Sequence, residues 1–165
     1  MIEAKIPDNE KERLEKLHQL NILDTLPEQE FDFITRIACR ILGVKISAIS
    51  LIDRDRQWFK SINGLEITET SRKVAFCAHA ILQDKPLIVI DASRDPRFAD
   101  NPLVLENPKI RFYAGVPLSL ARNVKVGTLC VIDSKPMTLS SDQLKDLVDL
   151  AKIAEQLLRA RATAQ

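Results

Sequence analysis

At Gly43 the apolar residues of this chain change their spacing. Upstream, Phe31, Ile34, Ile37, Ala38, Ile41 and Leu42 recur at the i, i+3, i+4, i+7 positions of one helix face, and Gly43 stands where a left-handed C-cap belongs. Downstream, Val44, Ile46, Ala48, Ser50 and Ile52 alternate with Ile49 and Leu51, the period of a strand that is apolar on much of both sides. A strand of that kind needs a layer on each face. The rest of the chain must therefore supply two different covers for one sheet.

The helical cover lies at the two ends of the sequence. Asp8 and Asn9 are good N-cap residues ahead of Leu14, Leu17 and Leu20, and a break at 24–27 precedes the second helix. Near the other end, Ser140 and Gln143 have capping-box spacing and open a helix carrying Leu144, Leu147, Val148, Ala151, Ala154 and Leu158. That helix has a second stripe, Leu150, Ile153 and Leu157, on another side. One helix packed on one sheet needs only one stripe.

Between the ends the pattern is that of an antiparallel sheet. Asp53, Arg54 and Asp55 turn the chain into a strand at 56–62, which ends at the turn pair Asn63-Gly64. A helical run at 74–82 and a compact strand at 87–90 follow. Two further strands, one alternating through Phe112, Ala114, Val116, Leu118 and Leu120 and one at 125–132, flank a turn at Arg122-Asn123 and read as the centre of the sheet. The irregular stretch 91–109 holds Asp95-Pro96 and Asn101-Pro102, each a capping side chain before a proline suited to the first helical position. The fold class is α+β, a central antiparallel sheet with N- and C-terminal helices on one face and a cap of loops and short helices, from 65–82 and 91–109, on the other. The expected organisation is a single domain over 1–165, with N-terminal helices at 1–43, sheet and cap at 44–133 and a C-terminal helix at 139–162.

Composition narrows the function classes. The 165 residues are 45% hydrophobic and 28% charged, too apolar for a disordered chain and without any apolar run near the ~20 residues of a membrane span. No N-terminal apolar region reads as a secretory signal, so the expected location is the cytoplasm. Twenty-four Lys and Arg against 23 Asp and Glu give a net charge of +1 with no basic patch, which argues against nucleic acid as a partner. Cys39, Cys77 and Cys130 are odd in number and widely spaced, as reduced thiols are, with Cys39 and Cys130 reading as small core residues. There is no nucleophile elbow, phosphate-cradling glycine loop or H-E-x-x-H pair.

Several motifs together resemble the GAF domain family of sensory modules, related in architecture to PAS domains. They are Ile22-Leu23-Asp24-Thr25 with Pro27-Glu28 and Phe31-Asp32, Ser50-Leu51-Ile52-Asp53 running into Arg56-Gln57-Trp58-Phe59, and Phe76-Cys77-Ala78-His79-Ala80-Ile81. Asp95-Pro96-Arg97-Phe98, the run from Phe112 through Gly115 to Leu118, and Gly127-Thr128-Leu129-Cys130-Val131-Ile132-Asp133 complete the set. The likeness covers almost the whole chain and is nearest the subgroup found N-terminal in bacterial sensor histidine kinases and diguanylate cyclases, here with no output domain in the sequence. It implies a small-molecule ligand bound between sheet and cap, a homodimer through the terminal helices and a separate output protein. It does not name the ligand. The cyclic-nucleotide signature Asn-Lys-x-Phe-x-x-x-Asp-Glu is missing, and Ala78 separates Cys77 from His79 where phytochromes have an adjacent pair.

The candidate ligand-binding residues are Phe76, His79, Asp91, Arg97, Arg111 and Tyr113, which lie on the cap or where it meets the sheet. On a helix, Cys77 and His79 stand ~200° apart and cannot share a metal, so neither metal nor haem is expected, and His79 reads first as a structural hydrogen-bonder. Arg97, Arg111, Asp91 and Asp95 suit either an anionic ligand or an internal ion-pair lattice that holds the cap shut. Tyr113 suits a pocket hydrogen bond or a cap carbonyl. Only one of Trp58 and Phe59 can face the cap. No catalytic residue is assigned. Free methionine-R-sulfoxide reductases, GAF proteins with catalytic cysteines, are a minor alternative, because 91–109 contains no cysteine to pair with Cys77. The other alternative is a ligand-free dimerisation module.

Overall fold

The computed structural model describes residues 1–163. In chain order the elements are α1 (Glu10–Gln19), α2 (Gln29–Leu42), β1 (Ile46–Ile52), β2 (Arg56–Asn63), β3 (Glu69–Ser71), α3 (Phe76–Ala80), β4 (Leu87–Val89), α4 (Pro102–Leu105), β5 (Phe112–Ala121), β6 (Val124–Asp133) and α5 (Ser141–Thr163). The six strands form one antiparallel sheet in the order β3-β2-β1-β6-β5-β4. β1 and β6 are therefore its centre, and β5 lies one place further out than the sequence suggests. β3 is an edge strand the sequence pattern does not announce. Three residues, two of them exposed, carry no readable period.

Burial follows the two-cover scheme. On one face Leu17 and Leu20 of the N-terminal segment, Phe31, Ile34 and Ala38 of α2, and Leu147, Ala151 and Leu158 of α5 pack on Ile49, Leu51, Phe112 and Leu129. On the other, Ala75–Ile81, Phe98, Val104 and Ile110 pack on Ala48, Tyr113 and Cys130. Trp58 takes the helix side and Phe59 the cap side. Gly43 caps α2 at φ 65°, its N–H donating to the Cys39 carbonyl 2.9 Å away. Ser140 and Gln143 form the reciprocal capping box at α5, with bonds of 2.9 and 3.1 Å. Asn9 does not cap α1. Its side chain donates instead to the Asn123 carbonyl at 2.6 Å and ties the helix to the β5–β6 turn.

Motif residues near the N-terminus hold the sheet to the helices. Arg56 forks onto both oxygens of Asp24, at 2.7 and 2.8 Å, and reaches Asp53 at 3.2 Å. Lys60, with no exposed side-chain surface, pairs with Glu28 and donates to the Leu26 carbonyl. Glu10 bridges the buried Arg13 and Arg72. Among the described residues no helix is long and apolar enough to cross a membrane.

Candidate functional site

A cavity of about 40 Å³ lies between the sheet and the cap. Its floor is Ile46 and Ala48 of β1, Gln57 and Phe59 of β2, Tyr113 of β5, and Cys130 and Ile132 of β6. Its roof is Leu65 and Ile67, Phe76 and Cys77 of α3, and Leu103, Pro108 and Ile110. The walls are almost wholly apolar, and among the described residues no charged side chain lines it. The volume has room for about three waters at ~10–15 Å³ each.

Two polar features interrupt these walls. Gln57, 4% exposed, donates through Nε2 to Thr70 Oγ1 at 3.0 Å, and its Oε1 has no hydrogen-bond partner. The Thr70 hydroxyl donates to the Ser71 carbonyl at 3.0 Å, so it can only accept from Gln57. The amide is thereby fixed with its carbonyl left over. The second feature is a cluster around Cys77. Its Sγ accepts from Tyr113 Oη and Thr128 Oγ1, each 3.1 Å away, and Ser50 Oγ lies 3.1 Å from Thr128 Oγ1. Burial pushes the Cys77 thiol up, but hydrogen bonds from Cys130, Ser50, Thr128 and Tyr113 together pull it further down, to about 7. The bond to Cys77 and burial hold the Cys130 thiol well up, and burial does the same for the Tyr113 phenol. Gly115 makes the cluster possible, because a Cβ there would collide with the Tyr113 hydroxyl.

Of the six residues singled out in the sequence, Phe76 and Tyr113 wall this cavity. The other four hold the cap from outside it. His79 Nε2 lies 2.9 Å from the Ile2 carbonyl, and burial lowers its pKa. Asp91 accepts from the backbone and hydroxyl of Ser93 at 3.1 and 2.6 Å. Arg97 forks onto Asp95 at 3.0 and 2.7 Å, and Arg111 donates to the carbonyls of Val104 and Ile110. Asp91, Asp95 and Arg97 thus meet partners two or three residues away, and Arg111 meets carbonyls, so these four form no lattice across the cap among the described residues. Among the described residues no three His, Cys, Asp or Glu converge as a metal site. Gln57, Ser50 and Thr128 were missed as candidates. A polar residue in step with Phe59, and hydroxyls in the middle of otherwise apolar strands, are the signals that mark them.

Comparison with known proteins agrees with this architecture. The chain is 43% identical over 130 residues to a cyclic di-GMP phosphodiesterase of Pseudomonas aeruginosa, a match that covers 79% of this chain and 22% of that protein. It spans only about a fifth of that relative's length. Among solved structures, the GAF domain of an Acinetobacter phosphoenolpyruvate-protein phosphotransferase superposes with a TM-score of 0.68 at 20% identity, covering 93% of this chain and 95% of that one. A free methionine-R-sulfoxide reductase of Neisseria meningitidis superposes with a TM-score of 0.66 at 16% identity over 100% and 99%. At such identities these two likenesses speak of fold alone. The model of the GAF domain matches residues 27–158, from the link before α2 almost to the end of α5. With the sheet order, the two covers and the family motifs in place, the chain belongs to the GAF domain family, a family of sensory domains.

Proposed function

We propose that this domain is a regulatory input module whose cavity takes a small, largely apolar molecule bearing one hydrogen-bond donor. The observation that carries this is the buried, unpartnered carbonyl of Gln57, a residue that lines an otherwise almost wholly apolar cavity, within reach of a ligand once the side chain shifts. A buried acceptor without a partner is costly, and a ligand N–H or O–H would satisfy it. Phe76 and Tyr113 would then be contact residues, while His79, Asp91, Arg97 and Arg111 set the cap's position. The cavity's size and lack of cations disfavour a nucleotide. A ligand larger than a few atoms would enter only as the roof at Leu103 and Ile110 moves outward.

The matched probes pyrrole and furan test this, since they share a shape and only pyrrole has an N–H. Saturable pyrrole binding read by amide NMR shifts at the cavity, weaker for furan by about tenfold and levelled by Gln57→Leu, is the expected result. Equal binding of the two would remove the role of Gln57. Binding of neither would favour the ligand-free dimerisation module. The reductase reading is the less favoured one, because the cap segment 91–109 contains no cysteine.

Output would pass to a second copy. α1 turns its leucines inward, whereas Phe33, Ile37 and Ile41 of α2 and Ile153 of α5 are 38–48% exposed. Arg36 and Arg40 flank the α2 stripe, and Asp142, Asp146 and Asp149 are exposed on α5. A twofold pairing that lays α2 of one copy on α5 of the other satisfies both the apolar stripe and the charges. In this pairing α2, rather than α1, shares the interface with α5. A separate output protein would read the α5 position.

A further inference from the structure

We propose that Cys77 and Cys130 form a redox-modifiable dithiol, converted by a hydroperoxide entering the cavity into an intramolecular disulfide. This stands independently of the ligand reading. Both residues line the cavity, one on the short helix of the cap and one on the central strand beneath it. The Cys77 sulfur rests on Thr128, two residues along β6 from Cys130, and on the Tyr113 hydroxyl, which lies against Gly115, the cross-strand partner of Cys130. The Cys77 sulfur receives these two hydroxyls at 3.1 Å, and a third hydroxyl, that of Ser50, backs one of them. A thiol that only filled core space would need none of these. Burying three hydroxyls is costly unless each is used, and here they converge on a sulfur.

That arrangement favours the thiolate, which is the nucleophilic form, at Cys77 and the protonated thiol at Cys130. Reaction at Cys77 comes first. The thiolate attacks one peroxide oxygen, the S–O bond forms, the O–O bond breaks, and hydroxide leaves. That hydroxide takes the Cys130 thiol proton and becomes water. The Cys130 sulfur then attacks the Cys77 sulfenic acid, the S–S bond forms, and the S–O bond breaks. The second hydroxide takes up the proton that Cys77 released on ionising. Two thiols and one peroxide give one disulfide and two waters. A cavity of about 40 Å³ has room for the two heavy atoms of hydrogen peroxide. An S–S bond of about 2.04 Å pulls α3 toward β6, so oxidation narrows the space between sheet and cap.

Cys39 serves as the internal control. It is half-buried on α2, and burial alone raises its pKa. The experiment treats the fully reduced chain with one equivalent of hydrogen peroxide at neutral pH and maps its thiols by peptide mass spectrometry over time. The expected result is a Cys77–Cys130 disulfide with Cys39 still a thiol, formed at least about tenfold faster than any Cys39 product and reversed by dithiothreitol. In Cys130→Ser, oxidation should stop at Cys77, read as oxygen added to the peptide that carries Cys77 with no disulfide formed. Oxidation of Cys39 first, or modification of Cys77 and Cys130 only after denaturant is added, overturns the proposal. The wild-type map decides the matter even if the variant fails to fold.

Discussion

The phenol of Tyr113 donates a 3.1 Å hydrogen bond to the sulfur of Cys77, from the floor of the cavity to its roof. The bond ties a strand of the sheet to the short helix of the cap, and it depends on Gly115, which leaves room for the hydroxyl. Tyr113→Phe should raise the Cys77 pKa and cost about 1 kcal/mol of stability, the usual worth of one net hydrogen bond. Thiolate absorbance against pH and urea unfolding measure the two effects. An unchanged thiol titration would mean that the phenol does not influence the sulfur.

The same cluster sets a pH dependence. Cys77 is an acid held below its ordinary value by its hydrogen bonds, so its contribution to stability is complete above the unfolded value, near 8.5, and is lost as pH falls through about 7. Cys130 is an acid held above its ordinary value, so its contribution is complete at low pH and is lost as pH rises past the unfolded value. Stability should therefore climb between about pH 7 and 8.5 and then fall. Cys77→Ser should flatten the climb in chemical denaturation curves recorded across that range.

Glu10 shares its one carboxylate between two arginines that are 1% and 7% exposed. Glu10→Gln leaves the Arg13 guanidinium buried with the Ile52 carbonyl as its remaining hydrogen-bonded partner, at 2.7 Å, and should cost about 3 kcal/mol. Replacing Arg13 by Met in the same background should recover part of that loss. Thermal and urea denaturation of the two variants separate loss of charge pairing from loss of packing.

Phe76 stacks on Phe98 with ring centroids 4.0 Å apart and planes within 9°, and only Phe76 faces the cavity. Phe76→Ala should enlarge the cavity and destabilise the domain by about 3–5 kcal/mol. It should also strengthen xenon or benzene binding relative to the parent, which crystallography under xenon or a titration would detect. Phe98→Ala should cost a similar amount without opening the cavity.

Ile37→Glu or Ile153→Glu places a charge on the exposed stripe of α2 or α5 and should leave the fold intact, because both positions are solvent-facing in one copy. Light scattering at micromolar concentration should show a dimer for the parent and a monomer for either variant. A parent that is already monomeric would remove the proposed route of output.

Much of the frame was readable from the chain because it rests on local rules. Phe31, Ile34 and Ala38 repeat with the helical period, Gly43 supplies the left-handed cap, and Ser140 with Gln143 closes α5, each within a few residues of its partner. Ile37 and Ile41 share the same period, yet they lie outside the buried face. Period alone cannot tell how wide a stripe the sheet will cover. β3 could not be read at all, since it exists only by pairing with β2 through Gln57–Thr70 and Trp58–Glu69.

The cavity belongs to the second kind of information. Arg97, Arg111, Asp91 and His79 carry the chemistry a reader of sequence looks for, and in the folded chain they are occupied by partners that shape the cap. Gln57, Ser50 and Thr128 look unremarkable along the chain, yet Ser50 faces Thr128 across the central strands and Gln57 lines the cavity. Most helices and strands and the cap are legible along the chain, because hydrophobic period and capping act over a few residues. Which buried polar groups are left without a partner beside the enclosed space is set by the fold, because that depends on cross-strand register and on which donors and acceptors distant segments have already satisfied.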